Sequence, residues 1–304
     1  MRHWMRSFLI GVAVFAGAGL ITPRWLIAAP LTVVDDTGRS VILRWPPKRI
    51  LALTPSSTEI VFALGGEDRI VAVDQWSDYP PAAKAKPRIS PLSPSLEQIV
   101  RLSPELIFST HGGAEPLLPL ERHGIKVLIL EPRTLDEVYQ NILLIGQIVD
   151  AQERAERLVR AMRQRAAAVL ARVREAPRPK VFIELDAIDP TRPFTAGSGS
   201  FIDALIRLAG GENVASTSRI AWPQFSLEEL IRADPDLIIL GDALVPVNPQ
   251  TPEAVAHRPG WSGLRAVRRG TIYPIETDVV SRPGPRVVEG LELLAKLFHP
   301  DLFP

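Results

Sequence analysis

The chain has 304 residues, with 35 Lys+Arg against 34 Asp+Glu, 46% hydrophobic residues and 23% charged ones. That balance excludes a disordered chain, and a net charge of +1 argues against a basic stripe tracking nucleic-acid phosphates. Cysteine is absent, which removes disulfides, thiolate metal sites and cysteine nucleophiles, whereas proline is abundant at 29.

Residues 1–29 read as a cleavable export signal. Arg2 and Arg6 form a basic start, Phe8–Ile21 is apolar or small throughout, and Ala28-Ala29 precede Pro30. The apolar run falls short of the ~20 residues a membrane span needs. A lipid anchor would need a cysteine at the cleavage point. The expectation is therefore an exported protein that is not a lipoprotein. Removing a leader with three arginines and no acid leaves a mildly acidic remainder.

After the leader, Leu31–Asp35 and Val41–Trp45 flank Asp36-Thr37-Gly38 as a hairpin. An α/β rhythm follows. Arg49–Leu53, Ile70–Val73, Leu106–Ser109 and Val127–Leu130 read as strands, and Ser56–Leu64, Leu96–Leu102 and Leu117–His123 as helices. Short apolar strands alternating with amphipathic helices predict a mostly parallel sheet covered on both faces. From Leu135 to Glu175 there is no proline and one glycine, Gly146. About forty residues at ~1.5 Å rise predict a helix of ~60 Å, with Asp150 as the place for a kink. Past Pro177 the rhythm restarts. Val181–Leu185, Leu237–Leu240 and Thr271–Ile275 read as strands, and Phe201–Leu208, Leu227–Ile231 and Arg286–Phe298 as helices. The expected division is an N-terminal lobe over 30–134, a connecting helix over 135–176 and a C-terminal lobe over 177–304.

The lobes repeat each other. Residues 95–108 read SLEQIVRLSPELIF and residues 226–239 read SLEELIRADPDLII. Gly65-Gly66-Glu67 upstream of the first is matched by Gly210-Gly211-Glu212 upstream of the second. Ser95 with Gln98, and Ser226 with Glu229, predict capping boxes. Each glycine pair supplies the left-handed residue that ends a helix. Glu97 and Glu228 occupy equivalent first-turn positions. Either complements its helix dipole, and as a pair they display two carboxylates to a symmetric partner.

These residues carry a resemblance. Thr54–Glu59, Ser77-Asp78-Tyr79-Pro80-Pro81, Pro193–Gly197, Gly210-Gly211-Glu212-Asn213 and Trp222-Pro223-Gln224 resemble the substrate-binding proteins of ATP-driven importers for metal-chelate nutrients. Pro285-Arg286 before the last helix is shared with the wider class. The likeness covers roughly 48–298. It implies a class III periplasmic binding protein, with two Rossmann-like α/β lobes joined by a single long helix and small movement on binding. It implies cobalamin as transported ligand rather than cofactor, no enzymatic activity, and a monomer in the periplasm serving a two-fold ABC permease with its ATPase subunits. Glu97 and Glu228 match the family's permease-docking glutamates. Trp76, Phe194, Trp222, Asp278, Arg282 and Ser56 match ligand-contacting positions. The sequence departs from the family at Pro91-Leu92, where a tryptophan is expected, and at Val279, where an aromatic is.

The residue types suit that reading. A corrin wants aromatic walls and a few fixed polar groups. Trp76 and Trp222 lie in predicted loops among polar neighbours, where aromatics more often bind than pack. Haem or an iron–siderophore is the alternative ligand, and His111 beside Gly112-Gly113 is the one histidine placed to face a cleft and touch a metal centre. An exported α/β hydrolase is the alternative of another class, with Ser200 and His257 as its least unfavourable pair. The stretch Gly197–Ile202 fits neither GxSxG nor GxGxxG.

Overall fold

The computed structural model describes residues 29–245 and 248–303, so the expected leader lies outside the described residues except for Ala29. Among them, no helix is long and apolar enough to cross a membrane.

The chain opens with β1 (Leu31–Val34) and β2 (Ser40–Leu43), an antiparallel hairpin turned by Asp35–Gly38. The Asp35 carboxylate accepts from Thr37 and Arg39, which closes the turn. The first lobe continues with β3 (Ile50–Ala52), α1 (Pro55–Ala63), β4 (Ile70–Asp74), β5 (Arg88–Ile89) and α2 (Leu96–Leu102). It ends with β6 (Leu106–Ser109), the short α3 (His111–Ala114) and β7 (Lys126–Ile129). Its five strands are all parallel, in the order β5-β4-β3-β6-β7. The chain direction across the sheet reverses between β3 and β6, and that switch point opens a crevice at the strands' carboxyl ends. The predicted helix at 117–123 is a 3₁₀ helix over Glu115–His123, because Pro119 inside it removes a donor.

The predicted forty-residue helix is two helices. α4 (Leu135–Ile148) ends at Val149, Asp150 adopts φ 58°, and α5 (Gln152–Val173) begins two residues later. A left-handed aspartate cannot continue a helix. The connector is therefore α5 alone, 22 residues and ~33 Å at ~1.5 Å rise. Ala155, Val159, Met162, Ala166, Val169 and Val173 form its buried stripe, spaced alternately four and three apart. Its exposed face carries arginines in weak i,i+4 pairs such as Arg157–Glu153.

The second lobe comprises β8 (Lys180–Glu184), α6 (Phe201–Leu208), β9 (Glu212–Asn213), α7 (Leu227–Ala233) and β10 (Leu237–Leu240). The short α8 (Pro252–Ala256) and α9 (Arg265–Arg269), β11 (Ile272–Pro274), the short α10 (Asp278–Ser281) and α11 (Val287–Phe298) follow. Its sheet is again all parallel, β11-β10-β8-β9.

The glycine repeat acquires a tertiary meaning here. Gly65, at φ 72°, faces Arg154 in the first turn of α5, and Gly210, at φ 84°, faces Val173 at its last. A Cβ at Gly65 would collide with Arg154 of the connector, and one at Gly210 would collide with His299 and crowd Val173. The two helix stops thus seat the two ends of α5, one in each lobe. Arg154 donates to the Leu64 carbonyl at 3.0 Å, and a bidentate Arg165–Glu292 pair ties α5 to α11. One apolar core runs through α5 from Val61 and Ile145 of the first half to Leu205 and Leu291 of the second.

Candidate ligand cleft

Between the lobes lies a cleft of about 1110 Å³. That exceeds the ~300–1,000 Å³ of sites for drug-sized ligands and suits a larger one. Its first wall consists of loops that leave the carboxyl ends of the first sheet. Leu53–Ser56 follow β3, Trp76 follows β4, Pro91 and Leu92 follow β5, Gly112 and Gly113 follow β6, and Leu130–Arg133 follow β7. Its second wall is built by Ser198–Ile202, Arg219, Ala221 and Trp222, with Asp278 and Ser281–Pro283 at the hinge side.

The aromatic walls are Trp76, 46% exposed, and Trp222, 51% exposed, so both rings keep a face available to a ligand. Trp76 is held by its own loop. Its backbone N–H donates to the buried Asp74 carboxylate at 2.7 Å, and the Ser77 hydroxyl donates to the same carboxylate. Burial keeps the Asp74 carboxyl above its usual range, against the pull of these hydrogen bonds. Ser56 lies on the cleft wall in the first turn of α1, beside the capping residue Thr54, whose hydroxyl accepts from the Ser57 N–H at 3.1 Å.

Phe194 is not among the residues that line this cleft. Its backbone bridges Asp186 and Gln224, which fixes it at a sheet margin, 42% exposed. The Pro-Phe-Thr motif reads in sequence like a cleft edge, and in the structure it pairs with Gln224, two residues from the wall residue Trp222.

Arg282 lines the cleft, but its guanidinium is already committed. Nη1 reaches Asp78 at 2.7 Å and Glu59 at 3.4 Å, and Nη2 reaches Asp278 at 2.7 Å and the Trp76 carbonyl at 3.1 Å. Three carboxylates and a carbonyl leave it little capacity for a ligand. It holds the Trp76 loop of one lobe against the hinge of the other. Burial keeps the Asp278 carboxyl above its usual range despite Arg282. Glu59 was legible only as a motif letter, and nothing in its spacing signals that it is an interlobe partner.

His111 is not among the residues lining the cleft. At the start of α3, it lines an adjoining groove with Asp36, Glu131, Arg133, Glu137 and Asn141, which shares Glu131 and Arg133 with the cleft. Among the described residues, no cluster of three His, Cys, Asp or Glu side chains could hold a metal ion. The hydrolase pair also fails. The Ser200 hydroxyl caps α6, accepting from the Asp203 N–H at 3.1 Å and donating to the Gly197 carbonyl at 2.8 Å. His257 does not line the cleft, and its Nδ1 lies 2.8 Å from the Glu253 carbonyl of its own short helix.

The repeat produces matched surfaces. Glu97 and Glu228 are 80% and 83% exposed, and each pairs with an arginine one turn on, Arg101 at 3.1 Å and Arg232 at 2.9 Å. Ser103 and Asp234 end the two helices at φ 47° and 44°. The capping box forms fully at Ser226–Glu229, but at Ser95 only the serine half forms. A neutral Gln98 gains less from the return bond than a carboxylate does.

Residues 50–279 match the family model for periplasmic binding proteins. The chain belongs to the periplasmic binding protein family. The uncharacterized ABC transporter substrate-binding lipoprotein YvrC of Bacillus subtilis is 30% identical over 90% of this chain and 87% of its own length. The periplasmic vitamin B12 binding protein BtuF of Vibrio cholerae superposes with a TM-score of 0.73 at 26% identity, covering 85% of this chain and 99% of that one. The periplasmic heme-binding protein RhuT from Roseiflexus superposes with a TM-score of 0.74 at 28% identity, covering 84% and 99%. The fold is that of class III periplasmic binding proteins.

One expectation is corrected by these relatives. The reading "not a lipoprotein" conflicts with the Bacillus relative, which is named a lipoprotein.

Proposed function

We propose that this periplasmic binding protein captures a corrinoid, cobalamin, between Trp76 and Trp222 and hands it to an ABC importer, without catalysing a reaction. One observation carries the choice of ligand. The described residues lining the cleft include two tryptophans and no His, Tyr, Met or Cys. Haem iron is usually gripped by one of those side chains, whereas a corrinoid brings its own axial ligands and needs only flat apolar walls and polar contacts for its amide arms. The size of the cleft supports a ligand of that bulk.

Glu97 and Glu228 are the docking carboxylates in this reading. Their matched display on two lobes suits a permease with two-fold symmetry, to which the protein docks as a monomer.

Titration with cobalamin and separately with haem, followed by tryptophan fluorescence, tests the ligand. Micromolar or tighter cobalamin binding is the expected result. A haem complex with a shifted Soret band, and no response to cobalamin, would overturn it.

A further inference from the structure

The charges of the cleft do not cancel. Five charged residues line it: Glu131, Arg133, Arg219, Asp278 and Arg282. Arg282 and Asp278 neutralise each other at 2.7 Å, and Arg282 is further balanced by Asp78 and Glu59. A Glu131 oxygen accepts the backbone N–H of His111 at 2.9 Å, which holds the carboxylate without cancelling its charge, so three arginines against two acids leave the lining one positive charge in excess. Arg133 and Arg219 are different. Both are exposed, and neither guanidinium makes an ion pair or a hydrogen bond with another described residue, although Arg133 also borders the groove lined by Asp36, Glu131 and Glu137. They stand on opposite lobes. Arg133 follows β7 of the first lobe, and Arg219 is three residues before the wall residue Trp222 of the second.

We infer that the ligand carries an acidic group at its rim, a phosphodiester or a carboxylate, and that Arg133 and Arg219 engage it from the two walls. This rests on the macrocycle reading of the cleft and adds the charge that the ligand must bear. A guanidinium presents a planar fork of donors matched to phosphate and carboxylate oxygens, and it is the cation suited to such a contact. Trp76 and Trp222 provide contact for a flat apolar body, and the arginines reach its edge. Because Arg133 and Arg219 belong to different lobes, an acid bound by both would also bridge the lobes opposite the hinge.

The test compares ligands with and without the acid, and the haem pair isolates it, since cobinamide lacks the whole nucleotide loop that carries the phosphodiester. Cobalamin, with its phosphodiester, is titrated beside cobinamide, which lacks it. Haem is titrated beside its dimethyl ester. The proteins are the wild type, Arg133→Gln, Arg219→Gln and the double variant, at low and high salt. The wild type is expected to prefer cobalamin, and the double variant to lose about ten-fold in cobalamin affinity with little change for cobinamide. Salt should weaken the wild type more than the double variant. Equal binding of cobalamin and cobinamide by the wild type, or unchanged cobalamin affinity in the double variant, overturns the inference while leaving the corrinoid reading intact. If haem binds and neither corrinoid does, the corrinoid reading fails. The inference is then judged by the ester, whose equal binding would overturn it. Binding of none of the four ligands defeats both.

Discussion

Glu59 on α1 accepts two hydrogen bonds from Arg286 at the start of α11, at 3.0 and 2.7 Å, joining lobes whose partners stand 227 residues apart in the chain. Both side chains are nearly buried, at 3% and 8% exposure for the residues. Arg286 also lies over the Tyr79 ring at 4.0 Å, and its hydrogen bonds to Glu59 raise its pKa above the ordinary value. With Arg282 reaching the same carboxylate, Glu59 is the meeting point of the hinge.

Removing that charge should be costly. Glu59→Gln leaves two partly buried guanidiniums short of a partner, and breaking a buried pair from one side typically costs about 3–5 kcal/mol. Urea unfolding should show a lower midpoint for the variant. A change within about 0.5 kcal/mol would mean that Glu59 is not a structural partner of the hinge.

The aromatic walls should divide from the outlying ring. Trp76→Ala and Trp222→Ala are each expected to cost about 2 kcal/mol in corrinoid affinity, roughly thirty-fold, as truncation of a contact aromatic commonly does. Phe194→Ala should stay within about two-fold of wild type. Isothermal titration of the three variants checks the ranking, and an equal loss at Phe194 would place the ligand differently.

A buried carboxyl pair predicts a pH dependence. At the carboxyl ends of β8 and β10, Glu184 is gripped by Arg258 at 2.5 and 2.7 Å, while neither oxygen of the neighbouring Asp242 finds a donor. Burial, together with the Glu184 charge, pushes the Asp242 carboxyl up to about 7 from an ordinary 3.8. Protonated, it becomes the donor that Glu184 accepts from. The folded state therefore holds more protons than the unfolded one between about pH 4 and 7, so this group makes stability fall as pH rises through that window. Asp242→Asn supplies a permanent donor. Thermal melts should show a Tm about 2–4 °C higher at pH 8 per kcal/mol recovered, and a flatter profile from pH 4 to 7.

The docking carboxylates should act on delivery and not on capture. Reversing both, as Glu97→Lys with Glu228→Lys, should abolish uptake in reconstituted importer vesicles while solution affinity for the ligand stays within about two-fold. Each reversal also meets the neighbouring arginine, but an exposed i,i+4 pair contributes only about 0.3–0.5 kcal/mol, so folding should survive. Persistent uptake with both charges reversed would remove these residues from the docking surface.

Much of the architecture was readable because it is local. Ser226 and Glu229 close a capping box within four residues, and the alternation around β3, β4, β6 and β7 is a short-range pattern. The repeat of Glu97 and Glu228 was visible as text. The sequence placed a kink at Asp150 but not a full break into two helices, because an aspartate carries no composition signal strong enough to divide a run of good helix formers, and φ 58° is set by the fold. Phe194 was not separable from Trp76 and Trp222 in sequence, since a loop aromatic reads alike whether or not it lines a cleft.

The sequence by itself determined the α/β class, the order of most elements, the duplicated helix–strand unit and the identity of the two wall tryptophans. These follow from hydrogen-bond caps, apolar periods and residue chemistry over a few positions. Tertiary structure alone decided which charges are committed. It joined Arg286 to Glu59, filled Arg282 with three carboxylates, left Arg133 and Arg219 without partners, and buried Asp242 beside Glu184. The physical reason is that the state of a charge depends on what surrounds it in space, and here those surroundings come from segments up to 227 residues away.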